Sequence, residues 1–240
     1  MLGQKPETLF NKELDLDMNT VLVVAAHPDD EVLGCGGTMA RHALKGDRVH
    51  VLFLSDGVSS RDEGDRDVGI RNEAAEKAGK ILSVSSISYG NFPDNQMDSV
   101  PLLDVVKFVH KHIEKIRPNI IYTHHHGDLN IDHQVASQAT TTACRPQQGH
   151  PVKEIYTFEI PSSTEWQNPT LSTVFMPNIF IDISSTIDTK MKALGAYDIE
   201  MRPFPHSRSY EAVQALATLH GARNGLNAAE AFMCLRVIKT

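Results

Sequence analysis

A chain of 240 residues, 41% hydrophobic and 22% charged, is long enough to bury a sizeable core and has an ordinary globular composition, which excludes collagen, coiled coil and intrinsic disorder. Its net charge of −7 and the absence of any Lys/Arg block argue against a nucleic-acid partner, while leaving room for a local basic pocket. Cys35, Cys144 and Cys234 show no CxxC spacing, so free thiols in a reducing compartment are expected. The apolar runs fall well short of the roughly 18–20 residues of a membrane helix. The polar first residues lack the apolar stretch of a secretory leader, and the expectation is a soluble cytoplasmic protein. Nothing in the chain fixes its oligomeric state, so a homo-oligomer stays open.

Residues 20–26, TVLVVAA, form a β-branched run of the kind buried on both faces of a sheet. HPDDEVLGCGG follows, and a helix is expected over 38–46, closed by Gly46. Residues 48–55 read as a second strand, 56–69 as a charged, Gly-punctuated loop and 70–80 as a helix. A third strand at 84–90 leads through a turn-rich NFPDNQMD to a helix opened by Pro101 and ended before Pro118. A fourth strand over 119–126 precedes GDLN and a helix from about 131 to 144. Beyond it, 154–161, 178–184 and 231–238 have strand character, and 184–197 and 209–223 helix character. This alternation predicts an α/β protein with a Rossmann-like, mostly parallel sheet flanked by helices and an elaborated C-terminal third. No repeat or linker interrupts it, so a single domain over 1–240 is expected.

In such sheets ligands bind beyond the carboxyl ends of the strands. Two polar clusters sit there: His27-Pro28-Asp29-Asp30-Glu31 after the first strand, and residues 124–133, HHHGDLNIDH, after the fourth. Pro28 holds His27 extended. Adjacent carboxylates beside an imidazole repel one another unless a cation is present. Asp29 and Asp30 point differently, so one can bind a metal while the other faces water. His133 opens the helix after the second cluster, and a His-Asp-His set with an open position suits zinc or a similar divalent ion.

AHPDDEVLGCGG (26–37), placed after a first strand, resembles the signature of the PIG-L/LmbE-like deacetylases, and DLNIDH (128–133) resembles their second motif. The resemblance implies a metal-dependent hydrolase that removes acetyl from an N-acetylated amino sugar or conjugate and releases acetate. It implies His27, Asp30 and His133 as metal ligands, Asp29 as general base, and commonly zinc, with ferrous iron an alternative that an N/O donor set tolerates. Arg71 matches a family arginine that contacts substrate; the other reading is an ion pair with Glu63 or Asp67.

One position departs from the pattern. Asn130 stands where many members carry a histidine; its amide can donate to an oxyanion but cannot deliver a proton. His206, in the turn-rich RPFPHSRS, is the substitute acid, against the alternative of an exposed loop histidine. Asp128 and His126 are assigned to substrate binding, with one or two of His124–His126 expected to line the pocket and one to face solvent because adjacent side chains diverge. Asp132 either orients a site histidine or caps the following helix. Arg202 and Arg208 are weaker candidates for an anionic substrate group. Trp166, the only tryptophan, is expected to pack its loop onto the core, with stacking on a sugar as the alternative. Two other functions compete. One is a nucleotide-binding module, disfavoured because GCGG does not follow the strand directly and three acids would repel a pyrophosphate. The other is a non-catalytic sugar- or metal-binding relative.

Overall fold

The computed structural model describes residues 18–55 and 65–239. The polar lead-in and most of the charged loop expected at 56–69, including Glu63, lie outside them. Strand β1 (Thr20–Ala25) is buried at every position. It pairs in parallel with β2 (Arg48–Ser55) on one side and β4 (Ile120–His124) on the other, with Val23 opposite both Val51 and Tyr122. A strand with neighbours on both edges and helices on both faces has no polar side to show, hence its unbroken Val/Leu/Ala run.

β3 (Ser86–Phe92) extends the sheet beyond β2, and β5 (Glu154–Phe158) extends it beyond β4, both in parallel. The C-terminal third adds β6 (Ile179–Asp182) and β7 (Ala229–Val237), with β7 antiparallel to both β5 and β6. The order is β3-β2-β1-β4-β5-β7-β6. The chain leaves β1 towards β2 and returns on its other side at β4, so the topological switch lies between β1 and β4.

Alternation along the strands divides the core. Val21, Val23, Val51 and Phe53 pack on the face that carries α1 (Asp30–Leu44), α2 (Asp65–Ile81) and α5 (Ile187–Leu194). Leu22, Val24, Leu52 and Ile121 face α3 (Leu102–Ile116) and α4 (Ile131–Ala143). The sixth helix, α6 (Tyr210–Ala222), lies against β7. No helix among the described residues is long and apolar enough to cross a membrane.

One element differs in extent from the sequence expectation. α1 begins at Asp30 rather than near Thr38, so GCGG lies inside a helix that breaks at Cys35 (φ −148°, ψ 22°). The glycines serve close approach: a Cβ on Gly37 would stand 2.8 Å from Ile183, and one on Gly34 would overlap the Phe158 ring. The amides freed by the break are taken up from far away in sequence. Gly37 N–H donates to Glu230 Oε1 (2.9 Å) and Thr38 N–H to Oε2 (2.7 Å). Lys190 Nζ donates to the Leu33 carbonyl (2.8 Å) and pairs with Glu230 (2.6 Å).

Candidate active site

The switch brings the two polar clusters together. His27 leaves β1, Asp30 opens α1, and His133 sits in the first turn of α4. One nitrogen from each histidine and an Asp30 carboxylate oxygen lie within 4.8 Å of one another, all three residues buried. His27 Nδ1 is 3.2 Å and His133 Nε2 3.3 Å from Asp30 Oδ2. Their remaining nitrogens face other buried carboxylates: His27 Nε2 is 3.0 Å from Asp132 Oδ2 and 3.2 Å from Asp94 Oδ1, and His133 Nδ1 is 3.0 Å from Asp128 Oδ1. Two imidazoles turned towards one carboxylate, each backed by a second carboxylate, make a donor set that could hold a divalent cation, with carboxylates behind it to orient the rings. His27, Asp94 and Asp132 form a second convergent group. Asp132, however, already accepts the Asn95 and Met97 amides at 2.7 and 2.9 Å, as befits an orienting group.

The electrostatics follow from burial among carboxylates. Burial opposes charge on His133, yet Asp30 and Asp128 outweigh it and raise its pKa to about 9. Burial likewise resists ionisation of Asp30, but His133, His124 and His27 hold its pKa well below the carboxylate range. His124 is buried and stacks on His133 (4.0 Å between ring centres, 20°). Its Nε2 accepts the Ala26 amide, and burial keeps it neutral with a pKa of about 3. It is a floor under a candidate ligand.

Asp29 adopts φ 114°, a conformation that side chains other than glycine rarely take. Its N–H donates to Glu31 Oε2 (3.0 Å), and Tyr197 Oη donates to Glu31 Oε1 (2.7 Å). Its carboxylate meets Arg208 Nη1 at 3.0 Å. Burial raises the Asp29 pKa from its ordinary value against the pull of Arg208. The same burial raises Glu31 to about 8. Asp29 and the three candidate ligands line a polar cavity of about 170 Å³, together with Arg71, Asp94, Asn95, Asn130, Ser162, Ser163, Glu200 and Arg208.

The other sequence candidates divide. Arg71 is buried in the cavity wall and pairs with Glu200 (Nη2–Oε1 2.7 Å); Glu63 lies outside the described residues, as does the side chain of Asp67. Asn130 lines the cavity with its amide committed: Oδ1 caps α4 at the Asp132 N–H (2.8 Å), and Nδ2 donates to Asn95 Oδ1 (2.9 Å). Asp128 is buried behind His133 instead of facing substrate. It accepts the hydroxyls of Ser163 and Thr164, and these bonds with His133 hold its pKa at about 2 against burial. His126 points out of the cavity, bonded to the Ser172 carbonyl (2.8 Å), because successive side chains diverge beyond β4. His206 lies outside the cavity lining too: its Nδ1 accepts the Arg208 amide (3.0 Å) and its ring meets Trp166. Trp166 is 55% exposed, not packed on the core. Sequence reasoning passed over Asp94, Glu200 and the Ser162–Ser163 turn. Asp94 follows β3 at the same sheet end, a signal the strand-end rule carries; Glu200 gave none.

The GlcNAc-PI de-N-acetylase (PIG-L) family pattern matches residues 22–144, from β1 through α4 and both clusters. The chain belongs to this family. A PIG-L relative, the uncharacterised deacetylase YaiS of Escherichia coli K12, is 33% identical over 185 residues, covering 72% of this chain and 88% of that protein. The 4-oxalmesaconate hydratase of Pseudomonas putida KT2440 is 27% identical over 214 residues, covering 79% of this chain and 77% of that one. The crystal structure of the conserved protein TT1542 from Thermus thermophilus superposes with a TM-score of 0.73 at 25% identity, covering 93% and 97% of the two chains.

Proposed function

We propose that this PIG-L protein is a divalent-cation-dependent hydrolase that removes the N-acetyl group of an amino sugar or sugar conjugate. One observation carries the reading: the Asp29 carboxylate shares a small polar cavity with the convergent nitrogens and oxygen of His27, Asp30 and His133. A zinc or ferrous ion held by those three would polarise the acetamide carbonyl and make water acidic enough to lose a proton near neutral pH. Asp29 takes that proton and returns it to the departing amine. With His206 outside the cavity and the Asn130 amide already bonded, Asp29 serves as both base and acid. Arg208 holds its carboxylate in place. Asp132 and Asp128 fix the tautomers and orientation of His27 and His133.

The hydratase relative supports a second reading, addition of water to an unsaturated polycarboxylate, which needs the same activated water. Carboxylate substrates call for cations free to receive them. In the described lining Arg71 is paired with Glu200, and Arg208 with Asp29. This pairing favours the uncharged acetamide.

The test is metal analysis of the purified protein with acetate release measured on a panel of N-acetyl amino sugars. The expected result is about one divalent ion per chain and acetate from at least one sugar. Hydration of an unsaturated polycarboxylate with no acetate from any sugar would favour the second reading.

A further inference from the structure

Three acidic side chains, Asp29, Asp30 and Glu31, stand in a row after β1, and the proposed reaction uses the first two. Glu31 is 2% exposed and is not among the described residues that line the cavity. Neighbouring carboxylates repel it there, so its burial has to be offset by what its oxygens hold. Oε2 accepts the Asp29 N–H (3.0 Å) and Oε1 accepts the Tyr197 hydroxyl (2.7 Å). One oxygen thus grips the backbone of the proposed base, and the other is gripped by the C-terminal third.

Asp29 needs that hold. At φ 114° it occupies a region that a non-glycine residue leaves unless its surroundings over-determine it. Without Glu31 its N–H loses the acceptor that this conformation points it to. The Asp30 carboxylate is anchored separately, by the His27 N–H to Oδ2 (2.9 Å), so the two neighbouring acids are placed by different contacts. Tyr197, also buried, lies in the 3-10 turn Gly195–Glu200. Glu200, at the end of that turn, holds Arg71 in the cavity wall (2.7 Å). One turn therefore reaches the base through Glu31 and the wall through Glu200.

We infer that Glu31 and Tyr197 are positioning residues, which hold Asp29 in the positive-φ conformation from which it lines the cavity and act on catalysis through Asp29 alone. The inference rests on the reading of Asp29 as general base.

Crystal structures and kinetics of three variants test it. Glu31→Ala removes both bonds and Tyr197→Phe removes the hydroxyl. Glu31→Gln keeps a carbonyl for the Asp29 N–H and offers its amide to the Tyr197 oxygen. In the Glu31→Ala structure Asp29 is expected at negative φ with its carboxylate withdrawn from Arg208; in Glu31→Gln it keeps the parent geometry. An unmoved Asp29 in Glu31→Ala would overturn the inference without any substrate being needed. With N-acetylglucosamine, Glu31→Ala is expected to lower kcat about 10–100-fold and Tyr197→Phe by less, with KM and metal content at the parent level. Glu31→Gln recovers most of that loss. In an Asp29→Asn background Glu31→Ala should cost nothing further, because groups that act as a unit are not additive. A further loss there, or loss of metal from Glu31→Ala alone, would overturn the inference and make Glu31 a support of the fold or of the cation cage. Should Glu31→Ala fail to fold, Tyr197→Phe decides by the same comparison with Asp29→Asn. An Asp29→Asn variant as active as the parent would remove the base and this inference together. No acetate from any N-acetyl amino sugar would count against the hydrolase reading and leave the crystal structures to decide whether Glu31 holds Asp29.

Discussion

Asp29 holds a backbone conformation that costs on the order of 1–3 kcal/mol for a non-glycine residue. It persists because its peptide groups are over-determined. Its N–H is bound by Glu31, which Tyr197 holds, and its carbonyl receives the Val32 and Leu33 amides at 3.1 and 3.0 Å. From this conformation the carboxylate meets Arg208. Asp29→Asn keeps the shape and removes the proposed base, so kcat is expected to fall about 10²–10⁴-fold while metal content, read by elemental analysis, stays at the wild-type level. Tyr197→Phe leaves a buried Glu31 oxygen without its donor and should cost about 1–3 kcal/mol of unfolding free energy in urea denaturation. The identity of Asp29 as a candidate was legible in HPDDE. Its strain was not, since the anchoring Tyr197 lies in the C-terminal third.

Helix α1 shows the same division at the scale of an element. The strands were readable because β-branched runs in a doubly covered sheet leave few alternatives. The helix was expected to begin only after GCGG, glycine being a poor helix former, and the contacts that keep GCGG within the helix come from Phe158, Ile183 and Glu230, remote in sequence. Two glycine substitutions separate these effects. Gly37→Ala drives a methyl into the buried Ile183 and is expected to destabilise the fold by about 1–3 kcal/mol. Gly69→Ala, inside α2 where an added Cβ meets nothing within 4 Å, should stabilise it by about 0.5–1 kcal/mol. Chemical denaturation of the two variants gives midpoints on opposite sides of the parent. Matching shifts would mean that helix propensity, and not packing, governs the α1 break.

Across the whole molecule, the site is where distant parts of the chain are made to agree: β1 and α4 bring the candidate ligands, Asp94 follows β3, and Glu200 and Arg208 come from the C-terminal third. Asp30, Asp94, Asp128 and Asp132 are all buried around two imidazoles. A cation bound between them therefore couples to folding of the entire unit, because an unfolded chain offers no such cage. Free metal at about 100 times its Kd adds about 2.7 kcal/mol, and for a chain of this size each kcal/mol moves Tm by about 2–4 °C. Chelation should then lower Tm by about 5–10 °C in calorimetry, and zinc added back should restore it. Asp128→Asn weakens the brace behind His133 and is expected to cut metal affinity about 10–100-fold, so at the same free zinc its melting should lie between the loaded and chelated parent. Superimposable melting curves with and without chelator would refute a cation at this junction, whatever the activity measurements showed.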